Sequence, residues 1–291
     1  MYQRSQYLAA LLSLSACSGA SKTASPELAD PLPREGKSMQ TVAAETLGDR
    51  SACLLITNAA GEPLLRTDED RCAHPYRPFS TFKIPNSIIG LETGHLKDAK
   101  SDIEWDSKTY PPQDWWPAVW TAQTHDLRSA FRYSHVPYYR TLATQISKET
   151  MAKYISQFGY GNQNVSGSQD SFWLNGDIAI SADQQIEFLR RFYEERLGVS
   201  PHTTAVVKDI FVRDRSGDAV LSAKTGTGVA EDGSALAWLV GYVENVGAVH
   251  YFALNVSNDD ADSVSPKWRV DTIEAVLASE GIWPSSGEPV P

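Results

Sequence analysis

The hydrophobic pattern of this sequence changes twice along the chain, and this change limits the folds that it can adopt. Short β-type runs stand near both ends, while helical periodicity fills the region from about residue 80 to residue 197. Strands at both ends with helices between them indicate an α+β fold. We predict a central antiparallel sheet built from both chain ends with flanking helices, plus an inserted, mainly helical lobe. The β-type runs are residues 52–57, 63–66, 219–224, 235–244 and 249–258.

Composition narrows the class of protein without identifying it. The 291 residues are 42% apolar and 21% charged, which is ordinary for a globular protein. A formal net charge of −10 argues against nucleic acid or an anionic membrane face as a partner. The six histidines show neither His-x-His nor His-Glu-x-x-His spacing, so no metal site is predicted. We expect one two-lobed domain over residues 48–284, followed by a tail at 285–291.

Ser80 and Lys83 form the pair with the clearest chemical meaning. Three residues apart, they fall on one face of a helix, within reach of a shared proton. Phe79, Phe82 and Ile84 surround the lysine with apolar surface, which lowers an amine pKa by disfavouring the ammonium. A neutral Lys83 would be a general base beside a serine nucleophile. The alternative is an N-capping Ser80 with an exposed Lys83.

Four further motifs follow Ser80-Thr81-Phe82-Lys83 in order. They are Ser134-His135-Val136, Tyr160-Gly161-Asn162, Trp173-Leu174 and Lys224-Thr225-Gly226. Ser-x-x-Lys with a later Lys-Thr-Gly is typical of serine β-lactamases and penicillin-binding proteins. The particular set resembles the class D (oxacillinase-type) serine β-lactamases, from about residue 52 to residue 282. A class A enzyme would carry Ser-Asp-Asn at the second motif.

The resemblance implies hydrolysis of the β-lactam ring of penicillins and related antibiotics, and hence resistance to them. Ser80 would form an acyl-enzyme. Lys83, carboxylated by carbon dioxide or bicarbonate, would be the general base for acylation and deacylation. Ser134 and Lys224 would relay the proton to the leaving nitrogen. No conventional cofactor is implied, and the expected partners are small β-lactam substrates.

The same resemblance assigns supporting roles. Trp173 would hydrogen-bond the carboxylated lysine, with Val136 and Leu174 keeping the pocket dry. The backbone N–H groups of Ser80 and Thr227 would form the oxyanion hole. Substrate would be held by Thr225, Gly226 and Arg269, with Gly226 leaving room for the substrate backbone.

Local sequence alone leaves a structural role open for several of these residues. Ser134 would be a helix cap beside Pro137, Trp173 a structural tryptophan and Arg269 a solvated surface arginine. His135 is expected to point away from the pocket, and Lys224-Thr225-Gly226 to end a strand.

Two alternative functions use the same nucleophile. A β-lactam sensor or penicillin-binding domain would be acylated without turnover, although Val136 makes the second motif apolar where sensors tend to be polar. A peptidoglycan D,D-peptidase would lack a reason for a dry lysine pocket containing a tryptophan.

The N-terminus predicts export. Arg4 precedes a short apolar run, and residues 14–17 resemble a bacterial lipobox in which Cys17 is lipidated. Cleavage after Ala20 is the alternative. We therefore expect a signal peptide over 1–17, a flexible tether over 18–47, and a periplasmic location with an outer-membrane lipid anchor as the sole membrane contact.

The two remaining cysteines, Cys53 and Cys72, flank the first predicted hairpin. In an exported protein they are expected to form a disulfide. Two buried free thiols are the alternative.

Overall fold

The computed structural model describes residues 36–284 of the chain. The predicted signal peptide, Cys17, the first part of the tether and the tail at 285–291 lie outside the described residues. None of the helices in the described part is long and apolar enough to span a bilayer. Nor do residues 36–284 group three or more His, Cys, Asp or Glu side chains in a way that could hold a metal ion.

A six-stranded antiparallel sheet forms the centre of the fold, in the order β2-β1-β6-β5-β4-β3. The chain's first strand pairs with its last, with Cys53 opposite Asn255. The predicted sheet built from both chain ends is therefore confirmed. The strands are β1 Ser51–Thr57, β2 Pro63–Arg66, β3 Val212–Ser216, β4 Ala219–Val229, β5 Ala235–Asn245 and β6 Ala248–Asn258.

Helices fill the region between β2 and β3 and flank the sheet. A 3-10 helix at Phe79–Phe82, named here the nucleophile turn, leads without a break into α3. A second 3-10 helix covers Asp262–Val264. The α-helices are α1 Met39–Leu47, α2 Glu69–Ala73, α3 Lys83–Glu92, α4 Val119–Ala122, α5 Leu127–Arg132, α6 Val136–Gln145, α7 Lys148–Phe158, α8 Phe172–Asn175, α9 Ala182–Tyr193, α10 Pro201–Phe211 and α11 Pro266–Ala278.

Each face of the sheet buries its own apolar core, as period-2 alternation requires. On one face α9 packs across β1, β5 and β6, and the helical lobe continues this core. On the other face α11 and α1 pack together over the sheet. The predicted inserted lobe is confirmed, and its junction with β4 brings the nucleophile turn onto the sheet.

Helix α1 corrects the predicted tether, which is wrong for residues 39–47. The side chain of Ser38 caps this helix by accepting from the backbone N–H of Thr41. Met39, Ala43 and Leu47 recur every four residues and are buried on one face. Three apolar residues are enough to hold α1 because α11 packs against it. A pattern of neighbouring residues does not reveal this distant partner.

Cys53 and Cys72 form the predicted disulfide, closing a sequence separation of 19 residues. Both cysteines are fully buried, and the bond joins strand β1, next to the edge strand β2, to the short helix α2. The alternative of two free thiols is wrong.

Candidate active site

The nucleophile turn places Ser80 and Lys83 together. The Nζ of Lys83 lies 2.7 Å from the Oγ of Ser80 in a direct hydrogen bond. Lys83 is the first residue of α3 and is fully buried, while Ser80 is half-buried. No side chain caps the turn or α3, so the alternative of a capping Ser80 with an exposed Lys83 is wrong.

Burial changes the protonation chemistry of Lys83. Loss of solvation lowers its pKa to about 7, because an ammonium ion is disfavoured away from water. Nearby, the ring of Tyr139 lies 5.4 Å from Nζ and its hydroxyl is bonded to Ser87. The neutral amine required of a general base is thus accessible near neutral pH.

Trp173 lies against the nucleophile turn and has an unused polar atom. Its ring is fully buried and stacked on Phe82, with ring centroids 5.3 Å apart. Within the described residues the indole Nε1 has no hydrogen-bond partner. A buried N–H without an acceptor is costly. This orphaned donor fits an additional acceptor in the site, which a merely structural tryptophan would not need.

Ser134 and Lys224 form the second pair. The Nζ of Lys224 donates to the Oγ of Ser134 over 3.0 Å and to the carbonyl of Thr225 over 3.1 Å. Burial first, and then the charges of Lys83, Arg213 and Arg269, hold the pKa of Lys224 well below its usual range. Lys224 lies in the middle of β4, so the prediction that its motif ends a strand is wrong.

His135, and not Ser134, is the N-cap of α6. The backbone N–H of Tyr138 donates to Nδ1 of His135 over 3.0 Å, which places the ring proton on Nε2. Ser134 adopts the left-handed region instead, with φ of 57°. The imidazole ring lies against Trp120 and His125, in agreement with the expectation that it points away from the nucleophile.

Two glycines of β4 let the sheet touch the nucleophile turn. A Cβ on Gly226 would lie 2.9 Å from the carbonyl oxygen of Pro78, and one on Gly228 would lie 2.1 Å from the ring of Phe79. The missing side chain of Gly226 therefore makes room for the turn, a contact that the sequence analysis did not predict. Gly226 and Gly228 approach the residues on either side of Ser80, so Thr227, which lies between them on β4, is near the nucleophile.

Arg269 is buried at the start of α11, so the alternative of a solvated arginine is wrong. Its Nη1 donates to the carbonyls of Gly226 and Trp238, each over 2.6 Å, and Nη2 donates to Oγ1 of Thr227 over 2.9 Å. Burial lowers its pKa to about 10. The guanidinium thus ties β4 to β5 beside the predicted oxyanion residue.

The remaining predicted residues line the same region. Val136 and Leu174 are half-buried, at the start of α6 and within α8. Thr225 is half-buried beside Lys224, and its carbonyl is engaged by that lysine. Two cavities border residues of this region: one of about 380 Å³ is lined in part by Lys224 and Thr225, and another of about 390 Å³ is lined in part by Arg77 and Val229.

Sequence reasoning missed residues that hold the nucleophile turn from behind. Gln185 is fully buried on α9, and its Nε2 donates to Oγ1 of Thr81 over 3.0 Å. The same threonine hydroxyl donates to the carbonyl of Pro78 over 2.8 Å. A glutamine on the apolar face of a predicted helix was the available signal for this role. Tyr160, also fully buried, packs edge-on against Phe82 and so supports the turn.

A serine bonded to a buried lysine, with a second serine–lysine pair beside it, defines a serine acyl-transfer enzyme of the penicillin-binding type. Comparison with known proteins agrees. The family described as penicillin binding protein transpeptidase domain matches residues 48–272. Beta-lactamase OXA-10 of Pseudomonas aeruginosa is 35% identical over 230 residues, covering 78% of this chain and 84% of that protein.

Solved structures and a more distant relative extend the comparison. The crystal structure of a class D beta-lactamase from Sebaldella termitidis ATCC 33386 matches with a TM-score of 0.76 at 31% identity, covering 84% of this chain and 96% of that one. Regulatory protein BlaR1 of Bacillus licheniformis is 30% identical over 210 residues, which are 72% of this chain but 33% of that protein. This chain belongs to the class D serine β-lactamases.

Proposed function

We propose that this protein hydrolyses the β-lactam ring of penicillins and related antibiotics through an acyl-enzyme on Ser80, and so confers resistance to them. The observation that carries the proposal is the 2.7 Å contact between Ser80 and the fully buried Lys83. The beta-lactamase activity in the name of the OXA-10 relative supports it.

Acylation uses both serine–lysine pairs. Lys83 takes the proton as Ser80 Oγ attacks the lactam carbonyl, and the C–N bond of the ring breaks. The backbone N–H groups of Ser80 and Thr227 stabilise the oxyanion. Ser134 gives its proton to the leaving nitrogen and is reprotonated through Lys224, whose Nζ lies 3.0 Å from its hydroxyl.

Lys83 fits N-carboxylation by carbon dioxide. Only a neutral amine reacts with carbon dioxide, and burial provides one near pH 7. A carboxyl group on Nζ would supply an anionic general base for acylation and for activating the deacylating water. The orphaned Nε1–H of Trp173 matches the hydrogen bond that such an anion needs. Val136 and Leu174 would keep water from that anion.

Substrate binding uses the positive end of the cleft. Lys224 and the hydroxyl of Thr225 would meet the carboxylate that β-lactams carry beside the ring nitrogen. Arg269 has one N–H of Nη2 left for the same group, since its other donors are bonded to protein. Its larger role here is to hold Gly226 and Thr227 in place.

We place the protein outside the cytoplasm, in the periplasm, tethered to the outer membrane through a lipidated Cys17. The Cys53–Cys72 disulfide supports an oxidising compartment. Globomycin treatment of producing cells, followed by membrane fractionation, tests the anchor. Processing that is insensitive to the inhibitor would indicate cleavage after Ala20 instead.

A β-lactam sensor or penicillin-binding domain is the second candidate, favoured by the 30% identity to a relative named as a regulatory protein, BlaR1. Turnover distinguishes the two. Hydrolysis of a chromogenic cephalosporin would be followed in carbon-dioxide-depleted buffer and again with added bicarbonate, with Ser80→Ala as the inactive control. Catalytic turnover that rises with bicarbonate supports the hydrolase with a carboxylated Lys83. A single stoichiometric burst under both conditions would assign the sensor role.

A further inference from the structure

A positively charged cavity lies beside Lys224, the hydrogen-bond partner of Ser134. It encloses about 380 Å³, and its charged lining consists of Arg128, Arg132, Arg213, Lys224 and Asp214. Three arginines against one carboxylate are unexpected in a chain of net charge −10, even with the pKa of Lys224 lowered by burial. Such a local field concentrates anions.

A β-bulge in β3 sets the direction of the Arg213 side chain. On β3, Val212 pairs with Ser222 and Asp214 pairs with Leu221, so the register shifts and Arg213 has no opposite residue on β4. Bulges of this kind re-aim a side chain and are common beside active sites. Here the bulge lies opposite Leu221 and Ser222, and Arg213 lines the same cavity as Lys224.

The guanidinium groups on the cavity wall differ in how far protein groups satisfy them. Arg128 is paired with Asp209. In residues 36–284, by contrast, no hydrogen bond or ion pair engages the side chain of Arg132 or Arg213. Arg213 is half-buried, and its pKa is lowered by burial and then by Arg132, with Glu274 and Asp214 opposing. Two guanidinium groups, each with five N–H donors, are thus left for a ligand.

The position of the cavity along β4 indicates which side of a bound substrate it would adjoin. Its β4 residues are Ala223, Lys224 and Thr225, whereas the oxyanion residue Thr227 lies further along the strand. At about 3.3 Å per residue, these positions are about 7 to 13 Å from Thr227. Ser134 and Lys224 serve the leaving nitrogen, so the cavity adjoins the ring that contains this nitrogen.

We propose that this cavity is a second anion subsite of the cleft, in which Arg213 and Arg132 bind a carboxylate or sulfonate carried by the ring on the leaving-nitrogen side of a β-lactam. The inference rests on the proposed function. The ligand of this subsite is a second anionic group of the substrate. The carboxylate beside the ring nitrogen is a different group, which the proposed function assigns to Lys224, Thr225 and Arg269. Cephalosporins with an anionic 3′-substituent are the substrate class that it selects.

The test compares two cephalosporins that differ only in a neutral or an anionic 3′-substituent. The measured quantity is the ratio of kcat/KM for the anionic to the neutral compound. In the wild type the ratio should exceed one and fall as salt is raised. Arg213→Gln should lower it roughly tenfold, the size of one lost hydrogen bond to a charged group. Arg132→Gln should lower it by a smaller factor, because Arg132 is exposed.

Arg215→Gln is the matched control. Arg215 is exposed two residues further on β3 and lines a different cavity, but its replacement removes the same charge. Its ratio should equal that of the wild type, and thermal unfolding checks that all variants fold. Equal ratios in all four proteins would overturn the subsite and leave the hydrolase intact. If neither compound is hydrolysed, the proposed function fails. The subsite is then tested by the ratio of the Ser80 acylation rates for the anionic and the neutral compound, measured by mass spectrometry.

Discussion

The imidazole Nε2 of His135 donates to the backbone carbonyl of Trp120 over 3.0 Å. Trp120 in turn binds the residue on the other side of Ser134. Its indole Nε1 donates to the carbonyl of Tyr133 over 2.9 Å. One tryptophan therefore holds the residues before and after the relay serine. This clamp explains how Ser134 is kept in the left-handed region, a conformation that serine seldom adopts.

His135→Ala should destabilise the protein by about 1 to 3 kcal/mol, since it removes both the helix cap and the bond to Trp120. His135→Asn keeps an acceptor for the N–H of Tyr138 and should lose less. Urea unfolding at pH 7.5 measures both. Equal losses in the two variants would show that the cap contributes nothing.

The same histidine predicts a pH dependence of stability. Burial lowers the pKa of His135 to about 4, below its ordinary value of 6.5. Between these values the unfolded chain binds the proton and the folded chain does not, so stability falls as pH falls from 6.5 to 4. His135→Asn should flatten this part of the urea-unfolding profile relative to the wild type.

Lys83 should set the acidic limb of activity. Its pKa of about 7 means that the neutral amine dominates above pH 7 and declines about tenfold per unit below it. Carboxylation, followed by ¹³C NMR with labelled bicarbonate, should fall in parallel with kcat between pH 8 and 5.5. A carbamate signal that persists unchanged at pH 5.5 would contradict this assignment.

Trp173→Phe tests the orphaned indole donor. Phenylalanine can keep the stack on Phe82 but has no N–H, so the carboxylated lysine would lose one hydrogen bond to a charged group, worth about 1.5 to 3 kcal/mol. We expect deacylation to slow by at least tenfold and the bicarbonate requirement to rise. Trp268→Phe, on the opposite side of the sheet, should change neither quantity.

Gly228→Ala tests the contact between β4 and the nucleophile turn. The new methyl group would meet the Phe79 ring at 2.1 Å, so the turn must move, and displacement of about 1 Å costs roughly a hundredfold in kcat/KM. Gly247→Ala is the control, because nothing lies within 4 Å and only the backbone at φ of 77° is strained. Stability should fall in both variants, and activity only in the first.

The disulfide should contribute to stability without affecting chemistry. Closing a loop with a separation of 19 residues is worth about 3 kcal/mol by loop entropy. Replacing Cys53 and Cys72 together with serine should lower the unfolding free energy by about that amount, with kcat preserved at 20 °C. A reducing agent should lower the melting temperature of the wild type and leave that of the double variant unchanged.

The sequence was informative where contacts are local. The spacing of Ser80 and Lys83 and the apolar neighbours of Lys83 predict their hydrogen bond and the lowered pKa, because both depend on one turn of helix. Five of the six strands were also predicted, and β5 is the clearest because burial on both faces makes its run continuous and apolar. Strand β3, Val212–Ser216, was missed because three of its five residues are charged and none is fully buried.

Features that depend on distant partners were not predictable. Helix α1 exists because α11 covers it, and Gly228 matters because Phe79 comes from 149 positions earlier in the chain. Burial of Arg269 needs acceptors from β4 and β5 that no local pattern indicates. The capping role of His135 was hidden because Ser134, a stronger capping residue by type, stands next to it.

The pairing of β1 with β6 also dictates when the site can come into being. Cys53 pairs with Asn255, so the formation of the β1–β6 ladder closes a loop of about 200 residues. Contacts between residues so far apart in the sequence slow folding. Until residues 248–258 emerge, β1 has no β6 to pair with, and until β4 emerges the nucleophile turn has no sheet to rest on. A nascent or truncated chain ending before β4 would therefore carry Ser80 and Lys83 without the surface that holds them for catalysis.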